Sequence, residues 1–410
     1  MRSPALHEYA FMSIAFCIPV NRSLVSVSII VLLLVFVFGG NLKQRLSGAF
    51  SNRWVWIATG LYAMYAAGMI YSQNTVYGFT DLQVKLSILL LPVVTSCFEI
   101  SRIQLKRILF AFLAGCITSG IFCIASACYD YFILHKNSFL YEAFSFLLHP
   151  TYFAMYLCFA ICIVFRELFE TGKIGKRLRI KFLALLVFFI VLIILLSSKA
   201  GLICSGLVLI FSLGRYAALT GMYRQALVYA ALFSSVYVLF FGFIIPAGMS
   251  RIATSEKILM QGPIENTTVE SSSVRIVIWK TGLGLLKENY LFGTGTGDVK
   301  DALVKAYHDN GVTHAYERKL NAHNQYLQTF LAIGIAGFVL LICFFAIPFA
   351  AATRGKDYLL LMLIAILAFN FLFESMLETQ AGVVFTSFFC SLLIVSMRMR
   401  QTEAVQQHSY

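Results

Sequence analysis

Residues 180–214 read IKFLALLVFFIVLIILLSSKAGLICSGLVLIFSLG, two apolar runs pinched at Leu196-Ser197-Ser198-Lys199. Roughly 20 mostly apolar residues suffice to cross a bilayer as a helix, so the stretch reads as two consecutive spans. Extending the reading in both directions gives spans near 7–20, 23–40, 54–72, 83–98, 108–134, 150–166, 182–197, 199–217, 225–246, 323–350, 358–375 and 380–397. The expected fold class is therefore all-α and polytopic, with about twelve transmembrane helices.

Composition agrees. Hydrophobic residues make up 60% of the 410 and charged residues 12%, half the charged share of roughly a quarter found in soluble domains. The aromatic share of 15%, with 38 Phe and 20 Tyr, suits lipid-facing surfaces and interfacial belts. A net charge of +13 would fit a nucleic-acid partner, but the basic residues gather in short loops between apolar runs, which argues against one. All ten cysteines fall within or at the ends of apolar segments and none forms a CxxC; they read as small buried hydrophobes rather than disulfides or zinc ligands. The apolar stretch Tyr9–Val20 follows only Arg2 and precedes no small-x-small site, so it reads as a short first span rather than a removed signal.

Loop charges set the orientation. With the N-terminus inside, alternate loops carry Lys43, Arg45 and Arg53; Arg102, Lys106 and Arg107; Arg166 through Lys181; Arg215 and Arg224; and Arg354 with Lys356. The short loops opposite carry Arg22, Lys85, Lys136 and Lys199. This bias expects both termini in the cytoplasm. Four regions follow: helices one to nine over 1–246, a large periplasmic loop over 247–322, helices ten to twelve over 323–397, and a cytoplasmic tail over 398–410. The loop is not linker-like. Val274 to Leu286 is a strongly apolar helical stretch, and Asp298 to His308 is an amphipathic one with apolar Ala302, Leu303 and Ala306. Gly293-Thr294-Gly295-Thr296-Gly297 forms a turn between them. Two such helices would cap the bundle from the membrane surface.

Polar residues at membrane depth are functional candidates, and several gather at the outer ends of the spans. His323 heads Asn324-Gln325-Tyr326-Leu327-Gln328, where the loop enters the tenth span. A neutral imidazole there suits a general base toward a hydroxyl; an interfacial polar cap is the alternative. Asn324 and Gln328 form an adjacent polar pair beside Tyr326. Arg275 follows three serines that would cap a helix, where a guanidinium and free amides suit a phosphate; a solvated arginine is the plain alternative. Lys199, flanked by apolar runs, either snorkels or points into an anion site. His149 stands at the outer start of the sixth span, in His149-Pro150-Thr151-Tyr152. Glu374 and Glu378 lie between the last two spans, suited to acid–base work or to capping. The glycine-rich turn follows no strand and lacks the Lys-Ser/Thr of a P-loop, which removes a nucleotide role. Together these residues describe an outward pocket for an amphiphile with an anionic head, with no cluster suited to a metal.

The segments LSSKAGLI, SSVRIVIWKTGLGLLKENYLFGTGTGD, AHNQYLQTFLAIGIAGF and FESMLETQAGVVF, spanning about 190–390, resemble the O-antigen ligase and O-antigen polymerase superfamily. The resemblance implies a GT-C-like fold in the bacterial inner membrane, with the large periplasmic loop covering the active site. It implies glycan transfer from undecaprenyl pyrophosphate, with no cofactor, metal or nucleotide, to lipid A-core in a ligase or to another lipid-linked repeat in a polymerase. It also implies that His323 is the base for the acceptor hydroxyl and that Arg275 holds the pyrophosphate. Lys199 stands where the family has arginine, a departure that keeps the charge but loses the bidentate fork. A reading from a different class is an amphiphile transporter or flippase, which would need polar residues near the bilayer midplane and often an inverted repeat; no such repeat is evident.

Overall fold

The computed structural model describes residues 6–40, 42–169, 175–244 and 271–408, and among them it contains helices and no strand. In the first half these are α1 (Leu6–Cys17), α2 (Arg22–Phe38), α3 (Leu42–Ala49), α4 (Arg53–Gly68), α5 (Thr75–Ser96), α6 (Arg102–Ile133), α7 (Tyr141–Phe144), α8 (Pro150–Phe169), α9 (Lys176–Leu196), α10 (Lys199–Thr220) and α11 (Tyr223–Ile244). The loop contributes α12 (Ser271–Glu288), α13 (Val299–Asp309) and α14 (Thr313–Glu317), followed by α15 (Gln325–Arg354), α16 (Tyr358–Phe371) and α17 (Gln380–His408). The loop residues 247–270 lie outside the described residues.

The chain is a multi-pass membrane protein. A helix stands at each position expected from hydropathy, and seven of those among the described residues are long and apolar enough to cross a membrane unaided; α2 and α16 are shorter apolar helices. The termini follow ordinary capping chemistry: Asn21, Asn52 and Asp357 accept from their first-turn amides, and Ser101 with Gln104 closes a capping box. Among the described spans, α8 and α17 are the most enclosed, buried against neighbours along nearly all of their apolar length. Around them α8 packs on α9, α10 and α16, while α17 packs on α5.

Two local results differ from the hydropathy reading. First, α5 begins at Thr75, well before the expected start, so Lys85 lies inside the helix rather than in a loop and is fully enclosed. The helix tolerates it because Asp81, one turn earlier, and Glu378 both contact its ammonium. Second, the tenth span is not one continuous helix. Ile333 and Gly334 leave helical geometry, Gly334 at φ 66° and ψ −165°, a backbone region open essentially to glycine alone. The glycine-rich segment fills the break: Thr294 and Gly295 amides donate to the Leu331 and Ala332 carbonyls at 2.7 and 3.0 Å, and Ile335 N donates to Tyr290 O at 2.9 Å. The segment is thus a structural joint, and it satisfies the backbone groups that the break releases.

The same segment reaches the α4–α5 connection. Thr296 Oγ1 donates to Tyr65 O at 2.6 Å, Gly297 N to Ser72 Oγ at 2.9 Å, and the Asp298 carboxylate accepts from the Gln73 and Asn74 amides at 2.8 and 2.7 Å. Helix α13 buries Val299, Leu303 and Tyr307, so its inner stripe is shifted from the expected alanine-containing face onto the larger side chains. Helix α12 packs against α15, which brings the loop over the segment that carries His323.

Candidate functional site

His323 lies just before α15. Its backbone sits at φ 44°, a left-handed conformation uncommon for a non-glycine residue. Neighbours over-determine it: His323 N donates to Asn321 Oδ1 at 3.0 Å, Trp279 Nε1 to Ala322 O at 3.0 Å, and Ala322 N to Gln328 Oε1 at 3.1 Å. Strain held this way is typical of functional positions. Asn324 caps α15 by accepting from Leu327 N at 3.0 Å, so the helix starts two residues after His323 rather than including it.

Glu374 follows α16 and is 8% exposed. Its Oε1 lies 3.0 Å from His323 Nδ1, and its Oε2 lies 3.3 Å from Arg275 Nη2. One carboxylate therefore joins the loop helix α12, the entry to α15 and the turn after α16. Burial alone would push this carboxyl up; the His323 hydrogen bond, then the His323 and Arg275 charges, outweigh it and hold the group below the usual range. The ionised carboxylate fixes the proton on Nδ1 and leaves Nε2 as the acceptor. Arg275 spends one N–H on Glu374, and a guanidinium has five, so it can also bind an anion. It stands one turn inside α12 rather than in the first turn.

His149 precedes α8. Its Nδ1 accepts from Thr151 N at 3.4 Å, and its Nε2 lies 3.7 Å from Glu142. Burial pushes its imidazole down against the opposing pull of Glu374 and Glu142, with Arg275 and His323 adding to the downward shift. Lys199 opens α10 and is exposed rather than confined by its apolar flanks. The cap residue Ser198 donates to Thr151 Oγ1 at 3.4 Å, which ties this end of α10 to the His149 end of α8.

The two glutamates part company. Glu378 turns away from Glu374 to Lys85, at 2.8 Å. Asp81 and Lys85 join Glu378 in an enclosed ion cluster over which the Tyr65 ring lies, 4.7 Å from the ammonium. Sequence reading missed this cluster; the i,i+4 spacing of Asp81 and Lys85 was its signal. Tyr326 donates to Ala368 O at 3.1 Å and packs on Phe345 and Phe371, a packing role. Gln328 is buried and holds Ala322.

This is a multi-pass membrane protein with a histidine–carboxylate–arginine constellation that joins α12, the entry to α15 and the turn after α16. Residues 183–342 match the family model described as O-antigen ligase, consistent with the O-antigen ligase and polymerase superfamily whose members are membrane glycosyltransferase-like enzymes acting on lipid-linked glycans. The matched stretch includes Lys199, Arg275 and His323, whereas His149, Glu374 and Glu378 lie outside it. No curated protein matches the chain.

Proposed function

We propose that the chain is an O-antigen ligase that transfers a glycan from undecaprenyl pyrophosphate to a hydroxyl of lipid A-core at the periplasmic face of the inner membrane. The observation that carries this reading is the Glu374 carboxylate shared by His323 and Arg275. His323 Nε2 takes the proton of the acceptor hydroxyl while its oxygen bonds to the anomeric carbon, and the bond from that carbon to the phosphate oxygen breaks. The electron pair leaves with undecaprenyl pyrophosphate, and direct displacement inverts the anomeric carbon. Arg275, through its remaining N–H groups, and Lys199 offset the charge gathering on the leaving group. Pyrophosphate leaves without protonation, so no second acid is needed, and no metal or cofactor takes part.

The test is transfer from a purified lipid-linked donor by wild type and His323→Ala, with EDTA present. Abolished transfer in the variant and EDTA-resistant wild-type activity are expected; transfer by His323→Ala at the wild-type rate would sink the reading. Deletion in cells separates ligase from polymerase, because loss of a ligase leaves bare core, whereas core carrying a single repeat would indicate the polymerase of the same superfamily.

A further inference from the structure

Among the described residues two side chains bridge the His323 segment and the Glu374 turn: Trp279, which donates to Ala322 O and faces the Phe373 ring at 6.5 Å, and Gln325, which hydrogen-bonds the turn's backbone. Gln325, two residues beyond His323, is fully enclosed. Its Oε1 accepts from Leu377 N at 2.6 Å, three residues beyond Glu374, and its Nε2 donates to Thr329 Oγ1 at 3.0 Å. Thr329 in turn shares a hydrogen bond with Tyr65 OH at 2.9 Å. Both ends of the amide are engaged, so neither its orientation nor its reach is free.

The turn has few other ways to set its register against His323. Glu374 N bonds back to Asn370 O and Met376 N to Glu374 O, contacts that shape the turn without fixing its distance from the loop exit. The Lys85–Glu378 ion pair anchors the far end of the turn to α5, on the side away from His323. Gln325 supplies the hydrogen bond that ties the turn's backbone, at Leu377 N, to the chain segment that bears the imidazole.

We propose that Gln325 is a positioning residue for the His323–Glu374 pair, setting the carboxylate at hydrogen-bond distance from the imidazole through the Leu377 amide. The proposal rests on the reading of His323 as the base. A shift of a few tenths of an ångström in that turn would lengthen the Glu374–His323 contact while leaving donor binding by Arg275 and Lys199 in place. The effect belongs in kcat rather than in KM.

The experiment uses full-length protein with a lipid-pyrophosphate-linked glycan donor, and compares Gln325→Met, Gln325→Glu, Glu374→Gln and the Gln325→Met/Glu374→Gln double variant. Gln325→Met should lower kcat roughly 10- to 100-fold, the usual cost of losing a group that orients a catalytic side chain, with KM for the donor within about twofold. Gln325→Glu, which restores an oxygen for Leu377 N–H, should recover most of the loss. In the double variant the Gln325 effect should vanish, because a residue acting through Glu374 cannot act without it. Full additivity in the double variant, or wild-type kcat in Gln325→Met, overturns the proposal. His323→Ala in the same assay keeps the two readings apart: wild-type transfer there removes the base and this proposal with it. Inactivity there with an unimpaired Gln325→Met removes the positioning role alone.

Discussion

The Lys85 ammonium and the Glu378 carboxylate meet at 2.8 Å across 293 residues of sequence, with no exposure of the lysine. Asp81 contacts the same nitrogen. Removing one member of such a cluster strands the others, since a buried charge without its partner is far costlier than the pair. Lys85→Met should therefore destabilise the protein by about 3–5 kcal/mol, read as a lowered midpoint of thermal unfolding in detergent. An unchanged midpoint would mean the cluster is not enclosed as described.

Glu374→Gln keeps the shape of the site and removes the charge that fixes the His323 tautomer. Transfer should fall at least 10-fold, with donor affinity changed little. A loss confined to KM would instead assign Glu374 to substrate binding.

The same carboxylate has a pH signature. Its folded value lies below the ordinary one because the His323 hydrogen bond and the Arg275 charge override burial. Its stabilising contribution is thus complete above the unfolded carboxylate value of about 4.3, and it is lost as pH falls through the lower folded value. The stability gap between wild type and Glu374→Gln should stay open from neutrality down to the carboxylate range and close below it. A gap that closes between pH 5 and 7 would contradict the ion contacts.

Gly382 packs against the Met376 carbonyl so closely that a Cβ has no room. Gly382→Ala must displace the turn that carries Glu374. Activity should fall several-fold more than the about 1–3 kcal/mol expected for overpacking would explain through unfolding alone, as judged by assays well below the melting midpoint. Equal losses in both would reduce Gly382 to a packing residue.

Gly334→Ala faces both a positive φ and the Leu291 carbonyl. It should destabilise by at least about 1–3 kcal/mol and raise hydrogen exchange at Thr294 and Gly295, whose amides depend on the break. Unaltered exchange there would show that the joint survives without the glycine.

Much of the helical architecture is legible in the sequence because it follows from local composition: an apolar run becomes a helix wherever it lies. His323 and Arg275 also stand out, as polar groups beside apolar runs. Their common partner does not. Glu374 is 51 residues from His323 and 99 from Arg275, and nothing local distinguishes it from Glu378, which goes elsewhere. Lys85 misleads for the opposite reason, since a lone cation beside an apolar run imitates a loop unless its partner one turn earlier is weighed. The break in α15 is invisible to hydropathy because it is imposed by a segment some 40 residues upstream, at Thr294 and Gly295.

That break also sets a length. At 1.5 Å per residue, an unbroken helix over Gln325–Arg354 would run about 45 Å, half again the roughly 30 Å hydrocarbon thickness. The portion after Gly334 matches that thickness by itself. The short portion before it is surplus to crossing and serves as a stalk of about 12 Å with His323 at its tip. The break thus divides the helix into a part long enough to cross a bilayer and a short part that carries the histidine, so the position of His323 is set by the joint at Gly334 rather than by the length of the span.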